Sequence, residues 1–366
     1  MTQLRIGALA MLKDAFKALT MRQKVPVFVV TLDALGTLYR FREPVAVQYR
    51  TVAQQCGLQA DIDSARLDAA FRSAFKHYNT VYPNYGKGQL RDPEAWWTKL
   101  VNRAFRNLVD VDQQHIPHDL GPRLYQHFSS GEAYELYPDV QPFLHTLRML
   151  KGQFGGPDGP LIATGVVTNS DPRVRSVLQD LGLTAGPSSL PRLDFGQTIA
   201  ETASRFRNQE YRALLASPFV DYFAADNDFD FLCTSYEAGA EKPDINVWLA
   251  ARQLIIPIPG SRAEQAVDTS TSAPHRGMTE CIRHEVGDTA WIHIGDEYSK
   301  DYVGAVGADL DALLLRRNGD RDSGVSSVAE DEDSVKSVSS LEEAAMVVSV
   351  MVQERFASGA VTDQPS

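Results

Sequence analysis

The chain has 366 residues, of which 43% are hydrophobic, and it carries a formal net charge of −11 with a pI near 5.2. This length predicts two folded units with additional insertions, and the acidic balance argues against a nucleic-acid binder, because no basic domain could neutralise phosphates. The three cysteines form no CxxC pair, so nothing indicates a disulfide framework or a structural zinc site.

Residues 1–24 form the first segment, in which apolar residues recur at near-helical spacing and basic residues surround a single acidic residue, Asp14. The pattern predicts an N-terminal helix or tail, with a mitochondrial presequence as the alternative. No run of about 18 apolar residues occurs, so we expect neither a membrane span nor a membrane partner. The expected location is therefore cytoplasmic or nuclear, and mitochondrial if the segment is a presequence.

The first strand is predicted from an apolar, β-branched run, Val27 to Leu32, which ends at Asp33 just before Gly36. Open α/β sheets keep their ligand sites at this end of their strands. Taken alone, the pattern is equally that of an Asp that caps a turn. The choice between a site residue and a turn cap depends on what the rest of the chain supplies.

Residues 41–131 are predicted to form a helical domain inserted directly after the first strand. Apolar residues recur every three or four positions in the segments Val45–Cys56, Ile62–Tyr78, Glu94–Val109 and His118–Phe128. Between the second and third segments lies an aromatic loop with Tyr85 and Lys87, which either faces a substrate or packs on the helices. Trp96 is a third weak candidate for substrate contact.

Strands and helices then alternate through the rest of an α/β core, predicted for residues 25–40 and 132–366. The predicted elements are the helix Val140–Lys151, the strand Leu161–Thr168, the helix Pro172–Leu183, the strand Phe229–Thr234, the helix Ile245–Leu254, the strand Ala290–Ile294, the helix Asp301–Gly307, the strand Leu310–Leu315 and the helix Leu341–Phe356. Segments 186–228 and 259–288 interrupt the alternation as insertions. Residues 318–340, rich in Ser, Asp and Glu, are predicted to be a disordered acidic loop.

Polar side chains follow the predicted strands at Asp33, Thr168, Lys242, Asp296 and Asp301. Parallel strands with right-handed crossovers place these ends on one side of the sheet, so the side chains can converge. Thr168 and the helix that follows it form either an anion-binding corner or no more than a helix cap. A carboxylate nucleophile needs cationic and hydroxyl partners, and clustered carboxylates require a divalent cation such as Mg²⁺. The sequence therefore predicts an α/β fold with a Mg²⁺ site.

The order of these motifs resembles that of the haloacid dehalogenase (HAD) superfamily, and the resemblance covers most of the chain. The matching segments are Asp33-Ala34-Leu35-Gly36-Thr37-Leu38, Val167-Thr168-Asn169, Lys242-Pro243-Asp244 and Gly295 to Asp301. The inserted helical domain resembles the C1-type cap of that family, and the similarity is closest to the subgroup named haloacid dehalogenase-like hydrolase domain-containing proteins. The resemblance implies a Rossmann-like parallel sheet core with an inserted all-helical C1 cap.

The resemblance also implies a reaction in which Asp33 attacks, most often at phosphorus, and water then releases the acyl phosphate. The implied catalytic residues are Asp33, Thr168, Asn169 and Lys242. The implied ligands of Mg²⁺ are the carboxylate of Asp33, the backbone carbonyl of Leu35, and Asp296, with Asp301 in support. The implied partner is a small phosphorylated molecule.

Leu35 departs from the family pattern, since family phosphatases carry there an Asp that protonates the leaving group. Such acid–base help is worth about 10² to 10⁴ in rate, so we expect reduced hydrolysis of ordinary phosphate esters and a smaller effect on acyl phosphates or halides. Three functions stay open: a Mg²⁺-dependent phosphohydrolase that borrows an acid or base such as Glu297, a catalytically inactive binding or regulatory protein with a protein partner, and a 2-haloacid dehalogenase. His293 is predicted to be an ordinary strand residue.

Overall fold

The computed structural model describes residues 27–106, 108–109, 115–154, 161–186, 188, 227–255, 289–317 and 335–357. The predicted N-terminal helix or tail at 1–24 lies outside the described residues, as do most of the two predicted insertions and residues 318–334 of the predicted acidic loop.

Six parallel strands form the central sheet of the part of the chain that the structure describes. Their bounds are β1 (Val27–Leu32), β4 (Leu161–Thr168), β5 (Phe231–Thr234), β6 (Thr289–Gly295), β7 (Asp311–Leu315) and β8 (Ser337–Val338), and their order across the sheet is β5-β4-β1-β6-β7-β8. The predicted α/β fold with a parallel sheet is confirmed. The central position of β1 explains why its sequence is a continuous apolar run rather than an alternating one.

The strand β8 lies in the segment predicted to be a disordered loop, and the prediction is wrong for residues 335–340. Ser337 and Val338 pair with Leu314 and Leu315 of β7, and Val338 is buried. A strand of two residues has no periodicity that a sequence pattern could reveal.

Helices cover both faces of this sheet, and β1 shows why. Phe28 and Val30 point to one face, where they pack in a cluster that includes residues of the helices α6 (Val140–Phe154) and α11 (Leu341–Ala357). Val29 points to the other face and packs with residues of α9 (Ile245–Ile255). Because successive strand residues alternate between faces, both sides of β1 are buried.

The remaining core helices are shorter. They are α7 (Arg173–Asp180), α8 (Ser235–Ala238) and α10 (Val303–Gly307), with a 3-10 turn at Gly131–Ala133 and a π-helical turn at Tyr298–Tyr302. The predicted helix Asp301–Gly307 is therefore corrected, because Asp301 lies inside the π-helical turn that precedes α10. Within the part of the chain that the structure describes, no helix is long and apolar enough to span a bilayer.

Among the described residues, five helices lie between the first strand and the rest of the core, and we call residues 45–127 the helical insertion. They are α1 (Val45–Gln55), α2 (Ser64–Val81), α3 (Pro83–Gly86), α4 (Pro93–Arg106) and α5 (Leu120–His127). The start of α2 is capped by Asp63, which accepts from the Arg66 N–H at 2.9 Å. Tyr49 and Phe105 belong to the same apolar cluster as Phe28 and Val30, so the insertion and one face of the sheet share a continuous core.

Two short strands frame this insertion, and the sequence predicted neither. β2 (Tyr39–Phe41) and β3 (Tyr134–Leu136) pair antiparallel, with Tyr39 opposite Leu136. Arg40 and Glu135, 95 residues apart in sequence, form an ion pair across them at 2.7 Å. The chain thus leaves the core and returns to it at adjacent points.

Candidate active site

The candidate site lies at the carboxyl ends of β1, β4 and β6 and centres on Asp33. The backbone N–H of Asp33 donates to the carbonyl of Ile294 at 2.9 Å, which continues the pairing of β1 with β6 by one residue. Its side chain is fixed at the sheet edge and is almost buried, with 7% of the residue exposed. The Thr168 hydroxyl at the end of β4 is near enough to Asp33 to oppose the rise of its pKa.

Lys242 joins this carboxylate to a second one. Its Nζ lies 2.7 Å from Asp33 Oδ1, 2.5 Å from Asp301 Oδ1 and 2.8 Å from the carbonyl oxygen of Val167. An ammonium group has three protons, and these three acceptors use all of them. Burial by itself would lower the pKa of Lys242, but the charges of Asp301 and Asp33 outweigh it and raise that pKa above its ordinary value. Lys242 is therefore a fixed cation.

Asn169 holds the chain segment that carries this lysine. The backbone N–H of Lys242 donates to Asn169 Oδ1 at 2.7 Å, and Asn169 Nδ2 donates to the Lys242 carbonyl at 2.9 Å. The structure thus brings together Asp33, Thr168, Asn169 and Lys242, the four residues that the sequence assigned to catalysis.

Three carboxylates form the predicted metal cluster. Asp33, Asp296 and Asp301 each offer an oxygen, and these atoms lie within 4.8 Å of one another. Burial raises the pKa of Asp33 to about 6, although Lys242 opposes the shift. Burial and repulsion from Asp33 and Asp301 raise the pKa of Asp296 to about 7. Two carboxyl groups of this cluster therefore lack sufficient compensating positive charge.

These residues fit a Mg²⁺ ion. Mg²⁺ takes oxygen ligands and is commonly held by one or two carboxylates, and a divalent charge would relieve the repulsion that raises the two pKa values. The Thr37 hydroxyl donates to Asp296 Oδ1 at 3.0 Å and so fixes that carboxylate. The Leu35 carbonyl, the third predicted ligand, belongs to a tight turn closed by the N–H of Leu38, which donates to the Ala34 carbonyl at 2.7 Å.

Asp301 is engaged in a different way. Its Oδ1 accepts from Lys242, and its Oδ2 accepts from the Glu297 N–H at 2.9 Å. Burial raises its pKa, but Lys242 and His293 outweigh burial and hold that pKa well below its ordinary value. Because hydrogen-bond donors engage both of its oxygens, Asp301 serves to hold Lys242 and its own loop.

His293 is the site residue that sequence reasoning missed. Its ring is fully buried, with Nε2 3.2 Å from Asp301 Oδ1 and Nδ1 3.0 Å from the Thr31 hydroxyl. Burial lowers its pKa to about 4, so the ring is neutral near pH 7. His293 lies in β6, as the sequence predicted, and its ring also contacts Asp301 of the site. Its position two residues before Gly295 was the only available signal.

Leu35 and Glu297 decide what acid–base chemistry the site can perform. Leu35 is 41% exposed, a large apolar side chain in the position where the resemblance led us to expect an acid. The Glu297 carboxylate lies 2.7 Å from Lys300 Nζ, and its side chain is 47% exposed. Glu297 is thus engaged in a surface ion pair in this structure.

The loop of the helical insertion that the sequence singled out contacts the core beside the site. The Tyr85 hydroxyl donates to the Asn169 carbonyl at 3.0 Å, and Lys87 Nζ donates to the Glu237 carbonyl at 2.7 Å. Asn84 and Tyr85 have φ values of +47° and +56°, which are uncommon for residues other than glycine. Such conformations cost on the order of 1–3 kcal/mol each and persist only where the surroundings hold them.

Trp96 does not contact the site, and the expectation that it contacts substrate is wrong. Its side chain is fully buried inside the insertion, and Nε1 donates to the Tyr82 carbonyl at 2.9 Å. The adjacent Trp97 faces the core instead, and its Nε1 donates to Asp171 Oδ2 at 2.7 Å. Helical periodicity separates the two faces of α4, but it does not say which face meets the core.

Asp171 also anchors an arginine between the insertion and the core. Arg173 forms a bidentate pair with Asp171, with Nη2 to Oδ2 at 2.8 Å and Nε to Oδ1 at 3.0 Å. Its guanidinium carbon lies 4.5 Å from the ring centres of both Trp97 and Tyr125. A single buried cation therefore joins α7 of the core to α4 and α5 of the insertion.

Comparison with curated proteins finds relatives along most of the chain, although no family model matches it. The haloacid dehalogenase-like hydrolase domain-containing protein 3 of Danio rerio is 26% identical over 294 residues, which cover 80% of this chain and 87% of that protein. The protein of the same name from Bos taurus is 25% identical over 295 residues, covering 81% and 84%.

Solved structures also align with most of the chain. A HAD-hydrolase from Bacillus subtilis, bound to magnesium, aligns over 89% of this chain and 99% of its own, with a TM-score of 0.46 and 12% identity. The L-2-haloacid dehalogenase PA0810 aligns over 88% and 99%, with a TM-score of 0.48 and 14% identity.

Proposed function

We propose that this chain, which belongs to the haloacid dehalogenase superfamily, is a Mg²⁺-dependent phosphohydrolase that acts on a small phosphorylated substrate. The observation that carries the proposal is the contact of Lys242 Nζ with both Asp33 and Asp301, within a cluster of three carboxylates. A carboxylate that is buried, oriented by a lysine and placed beside other carboxylates has the partners that an aspartyl nucleophile needs.

The metal and its ligands form the first part of the proposal. When bound, Mg²⁺ would supply positive charge to the phosphoryl oxygens of the substrate. Asp33, the Leu35 carbonyl and Asp296 would hold it, since Thr37 orients the Asp296 carboxylate and Asp301 is already engaged through both oxygens.

In the first chemical step, an Asp33 carboxylate oxygen bonds to phosphorus while the bond from phosphorus to the leaving-group oxygen breaks. The Thr168 hydroxyl, which lies beside Asp33, can donate to the phosphoryl group as the carboxylate loses its charge. Lys242 orients Asp33, and because its three protons are in use, contact with phosphate requires the exchange of one of these bonds. Water then cleaves the acyl phosphate, which restores the Asp33 carboxylate and releases inorganic phosphate.

Leu35 restricts the substrates that suit this site. Its side chain carries no proton for the departing oxygen, so alkyl phosphates would have to release an unprotonated alkoxide. Acyl phosphates release a carboxylate, which is stable without a proton. We therefore place the substrate among small phosphates whose leaving group departs as a stable anion.

The helical insertion would act as a C1-type cap over this site. Tyr85 reaches from the insertion to the Asn169 carbonyl, one residue after Thr168, and Arg173 connects the same two parts of the chain. A cap held in this way can exclude water and contact the part of the substrate that leaves.

Phosphate release from acetyl phosphate, an aryl phosphate and an alkyl phosphate, with and without Mg²⁺, tests the proposal. We expect Mg²⁺-dependent turnover in the order acyl, aryl, alkyl, and its loss in Asp33→Asn. The control is Asp61→Asn, which changes an exposed carboxylate of the insertion in the same way. Turnover that survives Asp33→Asn, or no turnover of any of the three substrates, would overturn the proposal.

A second candidate function is a catalytically inactive binding or regulatory protein, and the exposed Leu35 is the observation that favours it. The third function, a 2-haloacid dehalogenase, gains no support from the carboxylate cluster, because such an enzyme needs no metal. Halide release from 2-chloropropionate without added metal would favour it over the phosphohydrolase.

A further inference from the structure

A column of buried side chains stands behind the carboxylate cluster, on β1 and β6. The Trp291 Nε1–H donates to the Thr31 hydroxyl oxygen at 2.8 Å, and that hydroxyl lies 3.0 Å from His293 Nδ1. His293 Nε2 lies 3.2 Å from Asp301 Oδ1, which Lys242 also contacts. The chemistry of Trp291 and Asp301 sets the direction of the bonds at the two ends of this column.

The direction follows from what each group can donate. An indole N–H only donates, so Thr31 Oγ1 accepts from Trp291 and keeps its own proton, for which His293 Nδ1 at 3.0 Å is the nearer acceptor and the Ile292 carbonyl at 3.4 Å the other. Asp301 is a carboxylate paired with Lys242 and only accepts, so His293 Nε2 must carry a proton. In a neutral ring Nδ1 is then an acceptor, which suits the remaining proton of Thr31. One tautomer of His293 satisfies both of its contacts.

This tautomer gives Asp301 a third donor. Its Oδ1 accepts hydrogen bonds from Lys242 and His293, and its Oδ2 accepts one from the Glu297 N–H. The His293 ring, which supplies the second donor, forms a T-shaped contact with Trp248, with ring centres 4.7 Å apart and an interplanar angle of 74°. The Asp301 carboxylate is therefore fixed in one orientation, and Lys242 is fixed with it.

We propose that His293 is a positioning residue for the proposed reaction: through a proton on Nε2, it holds Asp301 in the orientation that keeps Lys242 on Asp33. The kinetic consequence of this inference rests on the proposed function. The proton on Nε2 and the positioning of Asp301 in the metal-free protein rest on geometry alone. Without the Nε2 donor, the Asp301 carboxylate can rotate, and the contact between Lys242 and Asp33 is no longer imposed.

Two isosteric substitutions separate the two ring nitrogens. His293→Gln places an amide N–H near the position of Nε2 and can still donate to Asp301. His293→Asn places its amide near Nδ1, keeps a polar group beside Thr31 and leaves Asp301 without that donor. Partners of this kind typically contribute 10- to 100-fold to activity or metal affinity. We expect a loss of that size in kcat and in Mg²⁺ affinity for His293→Asn, with KM nearly unchanged, and recovery of most of it in His293→Gln.

Long-range ¹⁵N–¹H correlation spectra of the metal-free protein give a readout that needs no activity. We expect the spectra to show a proton on Nε2 of His293 at neutral pH. In Thr31→Val, which removes the hydroxyl and keeps the shape of the side chain, we expect a mixture of the two tautomers. Thermal unfolding of each variant shows that it is folded before it is scored.

The outcomes distinguish the two proposals. A ring without a proton on Nε2, or equal loss of Mg²⁺ affinity in His293→Gln and His293→Asn, would overturn the role of His293. If the wild-type protein hydrolyses no phosphate, the proposed reaction fails, while the spectra and the Mg²⁺ titrations still decide whether His293 positions Asp301.

Discussion

Asn169 and Lys242 exchange two hydrogen bonds, one in each direction, between the loop after β4 and the loop after β5. One of these bonds needs the amide nitrogen of Asn169 as a donor to the Lys242 carbonyl. Asn169 therefore controls where the ammonium group of Lys242 can reach.

Asn169→Asp tests this control, because it keeps the acceptor for the Lys242 N–H and replaces the donor by an oxygen. A lost buried hydrogen bond with an unpaired carbonyl costs about 1–3 kcal/mol. We expect kcat/KM for acetyl phosphate to fall about 10- to 100-fold, since each 1.4 kcal/mol is a factor of ten. Unchanged kinetics in a folded variant would show that the loop holds Lys242 without this bond.

Leu35→Asp should increase activity on alkyl phosphates, because it supplies the missing proton donor. The expected gain is about 10² to 10⁴ in kcat, and the gain on acetyl phosphate should be much smaller. Leu35→Asn is the matched control, since it has nearly the same size and polarity but no proton of suitable acidity. If Asn and Asp increase the rate equally, relief of an apolar contact explains the gain and acid catalysis does not.

Mg²⁺ affinity should depend on pH through Asp33 and Asp296, whose pKa values are raised to about 6 and about 7. Metal binding requires both carboxylates to be ionised, so protons must leave as the ion binds. We expect the affinity to fall by about tenfold or more between pH 8 and pH 6. Calorimetric titration in buffers of different ionisation enthalpy measures the proton release, and a pH-independent affinity would contradict the assignment of Asp296 as a ligand.

Asp296→Asn should stabilise the metal-free protein at pH 8. Because the pKa of Asp296 is raised from 3.8 to about 7, the folded state binds its proton more tightly than the unfolded chain. Its contribution to the unfolding free energy therefore falls as pH rises from about 4 to 7, and stays low above pH 7. The variant should melt a few degrees above the wild type at pH 8 and close to it at pH 4.

The comparison at each pH cancels the opposing contribution of His293, which titrates in both proteins. Asp301 contributes no slope in this window, since its depressed pKa matters only below its ordinary value. Saturating Mg²⁺ should reverse the order at pH 8, because only the wild type binds the ion well. A variant that is less stable than the metal-free wild type at pH 8 would contradict the electrostatic account.

Arg173→Lys should loosen the helical insertion from the core. A lysine keeps the charge but loses the bidentate pair with Asp171 and the stacking between Trp97 and Tyr125. We expect faster amide hydrogen exchange in α4 and α5, with little change in the strands of the sheet. Trp97→Phe, which keeps a ring and loses the indole N–H, should show a smaller effect in the same helices.

The sequence was informative where a physical pattern is repeated within one segment. Val27 to Leu32 reads as a strand because each of its residues is apolar or β-branched, and the four core positions Asp33, Thr168, Lys242 and Asp296 follow from strands that end together. The boundaries of β4 were predicted without error, because its apolar run ends at Thr168.

Contacts between distant segments could not be predicted in this way. β2 and β3 are each three residues long, and their stability comes from a partner that no local pattern reveals. His293 is a polar residue within an apolar part of β6. Its burial is explained by the π-helical turn, which brings Asp301 back toward β6. The choice between Trp96 and Trp97 likewise depends on how α4 is rotated against the core.

The pairing of Tyr39 with Leu136 has a consequence for how this protein can change over time. The chain leaves and re-enters the core at this one strand pair. The length of the insertion therefore has little effect on the sheet, because the entropic cost of closing a loop grows only slowly with its length. New helices could be exchanged there while the strand ends keep their chemistry. If the proposed function holds, substrate choice and reaction type can therefore change independently, because they depend on different parts of the chain.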